Sequence, residues 1–136
     1  MTIEEQLTRD EGLRLRPYID TVGKWTIGVG RNLSDRGITA QEARILLEHD
    51  IEICEQELEF RLPWAPAMDP ERWFVLVNMC FNLGITRLLG FKKALAAMQL
   101  EAWELAAKEM LDSKWASQVG DRAKRLAKQI VTAEWQ

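Results

Sequence analysis

With 136 residues, 47% of them hydrophobic, the chain has room for one domain with a real core, and its net charge is −3. No run of about 18 apolar residues exists to cross a bilayer, and the acid-bearing start "MTIEEQLTRDEG" lacks the basic and apolar segments of a secretory leader. Two cysteines without a CxxC pair and one histidine, His49, cannot build the usual four-ligand zinc site, so neither metal nor cofactor is expected.

Thr2 followed by Glu5 forms a capping box that opens a short helix over about residues 2–11, closed by Gly12 beside Glu11. From Leu13 the pattern alternates through "LRLRPYID", turns at "TVGK" and alternates again in "WTIGVG", the one convincing β signal in the chain. Closing the hairpin there brings Thr26 within about a residue of lying opposite Asp20. Thr39 with Glu42 makes a second capping box. The helix it opens carries Ala43, Leu47, Ile51, Cys54 and Leu58 at helical spacing and runs to about Phe60. Glu48, Glu52, Glu55 and Glu59 share another stripe, read as a solvated face.

"LPWAPAMDPERW" breaks that helix and starts another, with Asp69 as N-cap and Pro70 at the first helical position. Helical segments punctuated by Gly84, Gly90 and Gly120 follow. Trp73, Trp103, Trp115 and Trp135 lie in them and read mostly as core anchors, and Cys54 and Cys80 as buried free thiols. The fold expected is α+β and mostly helical: a single domain with a small β-bearing lobe at about 13–38, a connecting helix at about 39–60, and a helical lobe at about 61–136 that includes the N-terminal helix. A groove between the lobes is its natural ligand site. Residues 1–70 hold 8 basic and 14 acidic groups and residues 71–136 hold 10 and 7, which makes the second half the better face for an anionic polymer.

Two carboxylates in different surroundings suit glycosidic cleavage: one gives a proton to the leaving oxygen and the other handles water or the positive charge at the sugar carbon. Glu11 at a helix exit, partly desolvated against a groove, fits the first role, and Asp20 at the hairpin end, ionised, fits the second. The Thr26 hydroxyl can share a water with Asp20. Gly28 and Gly30 leave the return strand without bulk, as where another group approaches the backbone. This spacing is weak by itself, because any acidic protein offers such pairs. "GVG" is no dinucleotide fingerprint, since the third glycine and the βαβ context are missing.

"DEGLRLRPYIDTVGKWTIGVGRNL" resembles the N-terminal catalytic stretch of the phage-type lysozymes, endolysins of the muramidase class. The likeness continues through "GITAQEARILLEHDI", "VLVNMCFNLGITRLLGFKKAL" and "AAKEMLDSKWASQVGDRAKR", which covers nearly the whole chain in order. The resemblance implies a lysozyme-like fold with an active-site cleft between the lobes. It makes Glu11 the proton donor, Asp20 the second carboxylate and Thr26 the hydroxyl that holds the attacking water. It implies hydrolysis, with inversion, of the β-1,4 link between N-acetylmuramic acid and N-acetylglucosamine in peptidoglycan. Phe81 and Asn82 match cleft residues that contact the glycan, Asn32 stands where a relative has an apolar cleft residue, Gly30, Asn32 and Lys114 are expected with them as substrate contacts, and Arg122 matches an arginine that pairs with the acid. Arg31 stands where the best-known relatives carry His, which points to an arginine–carboxylate pair in place of that histidine's contact. "RNLSDRGIT" is shorter than the corresponding connection in some relatives.

The expected biology is a monomer made in the bacterial host's cytoplasm by a phage or prophage. It would reach the wall with the help of a holin-like, membrane-permeabilising partner, without nucleic acid and without stable membrane insertion. The rivals are a lytic transglycosylase, which needs one acid and closes an anhydro sugar, and a peptidoglycan-binding relative with impaired catalysis.

Overall fold

The helix boundaries follow from local signals. The computed structural model describes all 136 residues. In α1 (Ile3–Glu11) the Thr2 hydroxyl accepts from the Glu5 N–H at 3.1 Å while the Glu5 carboxylate accepts from the Thr2 N–H at 2.8 Å. This reciprocal cap satisfies two amides that the first turn leaves without partners. Gly12, at φ +82°, ends the helix with its N–H on Thr8 O.

Three antiparallel strands follow in the order β1 (Arg14–Ile19), β2 (Trp25–Gly28) and β3 (Arg31–Asn32). The alternation in the sequence announces the first two; β3 is too short to show a period. Tyr18 lies opposite Thr26 and Ile19 opposite Trp25. Thr26 is therefore offset from Asp20 by two residues, further than the hairpin reading placed it. The turn sets the offset: Asp20 N–H donates to Lys24 O at 2.9 Å and Gly23 N–H to Asp20 O at 3.1 Å, so Lys24 is the partner of Asp20. Paired residues, and residues two apart, share a face, which keeps Asp20 and Thr26 on the same side of the hairpin.

The Thr39–Glu42 box opens α2 (Ala40–Arg61). Its apolar stripe is covered only from Ile51 onward: Cys54 and Leu58 are buried and Ile51 half-buried, whereas Ala43 and Leu47 are exposed. A 3₁₀ turn (Ala65–Ala67) leads to α3 (Pro70–Leu83), α4 (Ile85–Leu88), α5 (Lys92–Gln99), α6 (Trp103–Leu111), α7 (Lys114–Val119) and α8 (Asp121–Thr132). Asp69 precedes α3 as anticipated, but its carboxylate takes Arg72 Nη1 at 2.6 Å and caps no amide.

Residues group into two units, Met1–Leu46 and Leu47–Gln136, with the boundary inside α2 and with α1 in the first. The second unit holds the apolar core, in which Leu58, Val75, Leu76, Met79, Leu88, Met98, Met110 and Ile130 are fully buried. Cys54 and Cys80 lie in it as free thiols, and burial in apolar surroundings pushes the Cys80 thiol up to about 12. Trp73 and Trp115 are buried there, Trp103 is half-buried beneath the Arg72 guanidinium, and Trp135 is 64% exposed while stacked on Phe74. In the first unit a single residue is buried, Thr26, at 3% exposure.

Candidate active site

Glu11 is the last residue of α1, and the positive-φ Gly12 turns the chain away directly behind it. Its carboxyl rests on Gly30: a methyl group added at Gly30 would lie 3.2 Å from Glu11 Oε2, 3.3 Å from Cδ and 3.4 Å from Cγ. Gly30 itself sits at φ +68°, in the turn between β2 and β3. Glycine serves two ends here, adopting a backbone conformation that L side chains disfavour and leaving room for the acid. Glu11 is solvent-exposed, so the partial desolvation expected for it is absent; Gly30 covers it on one side with no bulk of its own.

Asp20 is oriented by the turn it begins. Its Oδ1 accepts from the Val22 N–H at 2.9 Å and the Lys24 N–H at 2.8 Å, while Oδ2 has no partner within the chain. One oxygen is fixed and the other is free to act. The Thr26 hydroxyl donates to Lys24 O at 3.0 Å, which spends its only proton and leaves its lone pairs as acceptors. Both groups therefore hang on the main chain of Lys24, a residue to which the sequence reading assigns nothing. Backbone atoms do this work, and no side-chain letter signals it. The Lys24 ammonium is held by Asp35 Oδ1 at 3.1 Å. That bond, then one from Asn32 Nδ2, holds the Asp35 carboxyl below the usual carboxylate range.

Asn32 lies opposite Thr26 in the sheet. Its amide closes on Asp35, with Oδ1 accepting the Asp35 N–H at 3.0 Å, so the proposed substrate contact is largely committed to its own turn. Arg31 does meet a carboxylate: Nη1 reaches Glu42 Oε1 at 2.9 Å and Nη2 reaches Oε2 at 2.8 Å, a two-pronged pair, and Nη1 also donates to Gly37 O. The Arg31 guanidinium, helped by the Thr39 N–H, lowers the Glu42 carboxyl to about 2. The capping box marks Glu42 as a helix-start residue; its partnership with Arg31, 11 residues away, is invisible to a local pattern.

In the second unit, Arg122 directs Nε and Nη2 at Asn78 Oδ1, at 3.0 and 2.8 Å, beside a polar cavity of about 450 Å³ that Arg125 and Gln129 also line. Asn82 accepts the buried Trp115 indole N–H at 2.8 Å through Oδ1, which fixes the amide and turns Nδ2 outward. Phe81, beside it, is 46% exposed, whereas Val75, Leu76, Val77, Met79 and Cys80 of the same helix are buried. Lys114 opens α7 after the Ser113 cap and lines a cavity of about 530 Å³ with Arg87, Lys92, Lys93, Glu109 and Asp112.

Glu11 is a helix-end acid laid on a glycine, and Asp20 is a turn-held carboxylate that shares a hairpin face with the buried Thr26 hydroxyl. Residues 8–130 match the family model of phage lysozyme. The chain belongs to the phage lysozyme family, and its mostly helical α+β architecture with a small three-stranded antiparallel sheet is lysozyme-like. It is 31% identical over 160 aligned positions to the pre-baseplate central spike protein Gp5 of Enterobacteria phage T4, covering 97% of this chain and 28% of that one. It is 28% identical to the probable T4-type lysozyme 1 of Dictyostelium discoideum, over 96% of this chain and 94% of that one. Against the endolysin of Salmonella phage P22 the identity is 29%, over 78% and 76%. The chain thus spans a little over a quarter of the spike protein and nearly all of the slime-mould one.

Proposed function

We propose that the chain is a muramidase that hydrolyses the β-1,4 bond between N-acetylmuramic acid and N-acetylglucosamine in bacterial peptidoglycan, with inversion at the anomeric carbon. Glu11 donates a proton to the leaving oxygen. Asp20, through its free Oδ2, takes a proton from a water that attacks the opposite face of the sugar. Thr26 accepts the other hydrogen of that water, because its own proton is already spent on Lys24 O. The carrying observation is that one residue's main chain orients both groups that would hold the water: Lys24 N–H on Asp20 and Lys24 O on Thr26.

A transglycosylase, which uses an internal sugar group as nucleophile, has no need of this arrangement. In the second unit Phe81, the outward amide of Asn82 and Lys114 bind the polymer, and the cavity in which Arg87, Lys92, Lys93 and Lys114 outnumber Glu109 and Asp112 suits its acidic peptide stems. The biological role is host lysis by a monomer made in the bacterial cytoplasm, which reaches the wall through a permeabilising, holin-like partner. No helix is long and apolar enough to cross a membrane.

Glu11→Gln decides the acid. The variant is expected to keep its fold by circular dichroism and to lose clearing of permeabilised Gram-negative cells; substantial residual clearing removes Glu11 from that role. Product analysis decides the reaction: a reducing-end muramic acid supports hydrolysis, and an anhydro-muramic end overturns it.

A further inference from the structure

The turn that carries Gly30 is exposed and lightly packed. Gly28 and Gly30 both sit at positive φ, at +69° and +68°, and a methyl group at Gly28 would touch nothing within 4 Å. A turn with two glycines and little packing samples several conformations unless a neighbour restrains it. The neighbour is Arg31. Its main chain pairs with Ile27 across the turn, its guanidinium grips both oxygens of Glu42, and Nη1 also holds Gly37 O. Glu42 is itself fixed to the first turn of α2 by the Thr39 N–H. The side chains are 23% and 36% exposed, and two parallel charge-assisted bonds fix direction as well as distance.

We propose that the Arg31–Glu42 ion pair positions the catalytic acid: it anchors the β2–β3 turn to the start of α2, and so holds Gly30 in place as the surface on which the Glu11 carboxyl rests. Arg31 and Glu42 touch neither substrate nor the reacting atoms; they act through Gly30. The inference rests on Glu11 being the acid, and it adds two residues whose loss changes chemistry more than binding.

The test compares Arg31→Lys, Glu42→Gln and the reversed pair Arg31→Glu with Glu42→Arg, at a temperature where circular dichroism shows each folded. Displacing a reacting group by a fraction of an ångström lowers kcat, here by roughly tenfold in each single variant, with KM within about twofold. Arg31→Lys keeps the charge but loses the paired geometry and should fall with Glu42→Gln, while the reversed pair should regain part of the loss. Carbon NMR of the Glu11 carboxyl, followed against pH, should also differ between Glu42→Gln and the unaltered protein. Variants that melt earlier yet keep kcat and the Glu11 titration would show a purely structural pair and overturn the proposal. Separate measurements test the two claims: an active Glu11→Gln protein sinks the functional reading, whereas an unchanged Glu11 carboxyl signal in Glu42→Gln sinks the positioning role.

Discussion

Gly30→Ala separates backbone strain from contact with the acid, because Gly28 provides a matched control. Both glycines lie in the left-handed region at almost the same φ. Placing an L side chain there costs about 1–2 kcal/mol at either site, which for a chain of this size lowers Tm by roughly 3–7 °C. Only at Gly30 does the new methyl meet anything, Glu11 Oε2 at 3.2 Å, so the carboxyl must give way by a few tenths of an ångström. Since a misplacement of about 1 Å can cost about a hundredfold in rate, this smaller shift should cost roughly three- to tenfold. The assay pairs thermal melting with initial rates of wall clearing well below both melting points. Expected are similar losses of Tm in Gly28→Ala and Gly30→Ala, with activity lost only in the second. Equal activity in the two variants would falsify the claim that Gly30 supports the acid.

Three further outcomes follow from other contacts. The Glu42 carboxyl is held at about 2, below its ordinary 4.5, so its pairing stabilises the fold fully above about pH 4.5 and loses that contribution as pH falls through 2. Melting of Glu42→Gln against the unaltered protein should therefore show a gap at pH 5–7 that closes near pH 2; a gap independent of pH contradicts it. Arg72, 13% exposed, gives Nε to Ile130 O at 2.7 Å and Nη2 to Val131 O at 3.0 Å while lying 4.1 Å over the Trp103 ring. Arg72→Ala should cost about 2–3 kcal/mol in urea unfolding. Asn82→Ala strips the buried Trp115 N–H of its acceptor and should cost about 1–3 kcal/mol, together with a higher KM for wall fragments.

The sequence makes the caps and the hairpin plain because their causes are local. Thr2 with Glu5, Thr39 with Glu42, and Gly12 act over three or four residues, and each stands where its pattern puts it. The offset between Asp20 and Thr26 depends on how many residues the turn consumes, which alternation in the flanking strands does not determine. The Asp69 carboxylate leaves its expected cap for Arg72, since a cation three residues along competes with the helix amides. Glu11, Asp20 and Thr26 are proposed as a set on family likeness more than on spacing. Lys24 is missed because its contribution is carried by its amide and carbonyl, and the Arg31 carboxylate is anticipated without its identity.

That Thr26 is the single buried residue among the first 46 has a thermodynamic meaning. Heat capacity and denaturant sensitivity both scale with the surface uncovered on opening, and this segment has little apolar surface left to uncover. Its local opening should therefore carry a shallow urea dependence and a small heat-capacity change, while the segment 47–136 shows the steep values of a true core. Amide exchange of Trp25 to Asn32 should respond to salt and acid more than to urea, because what fastens these residues is charge and hydrogen bonding.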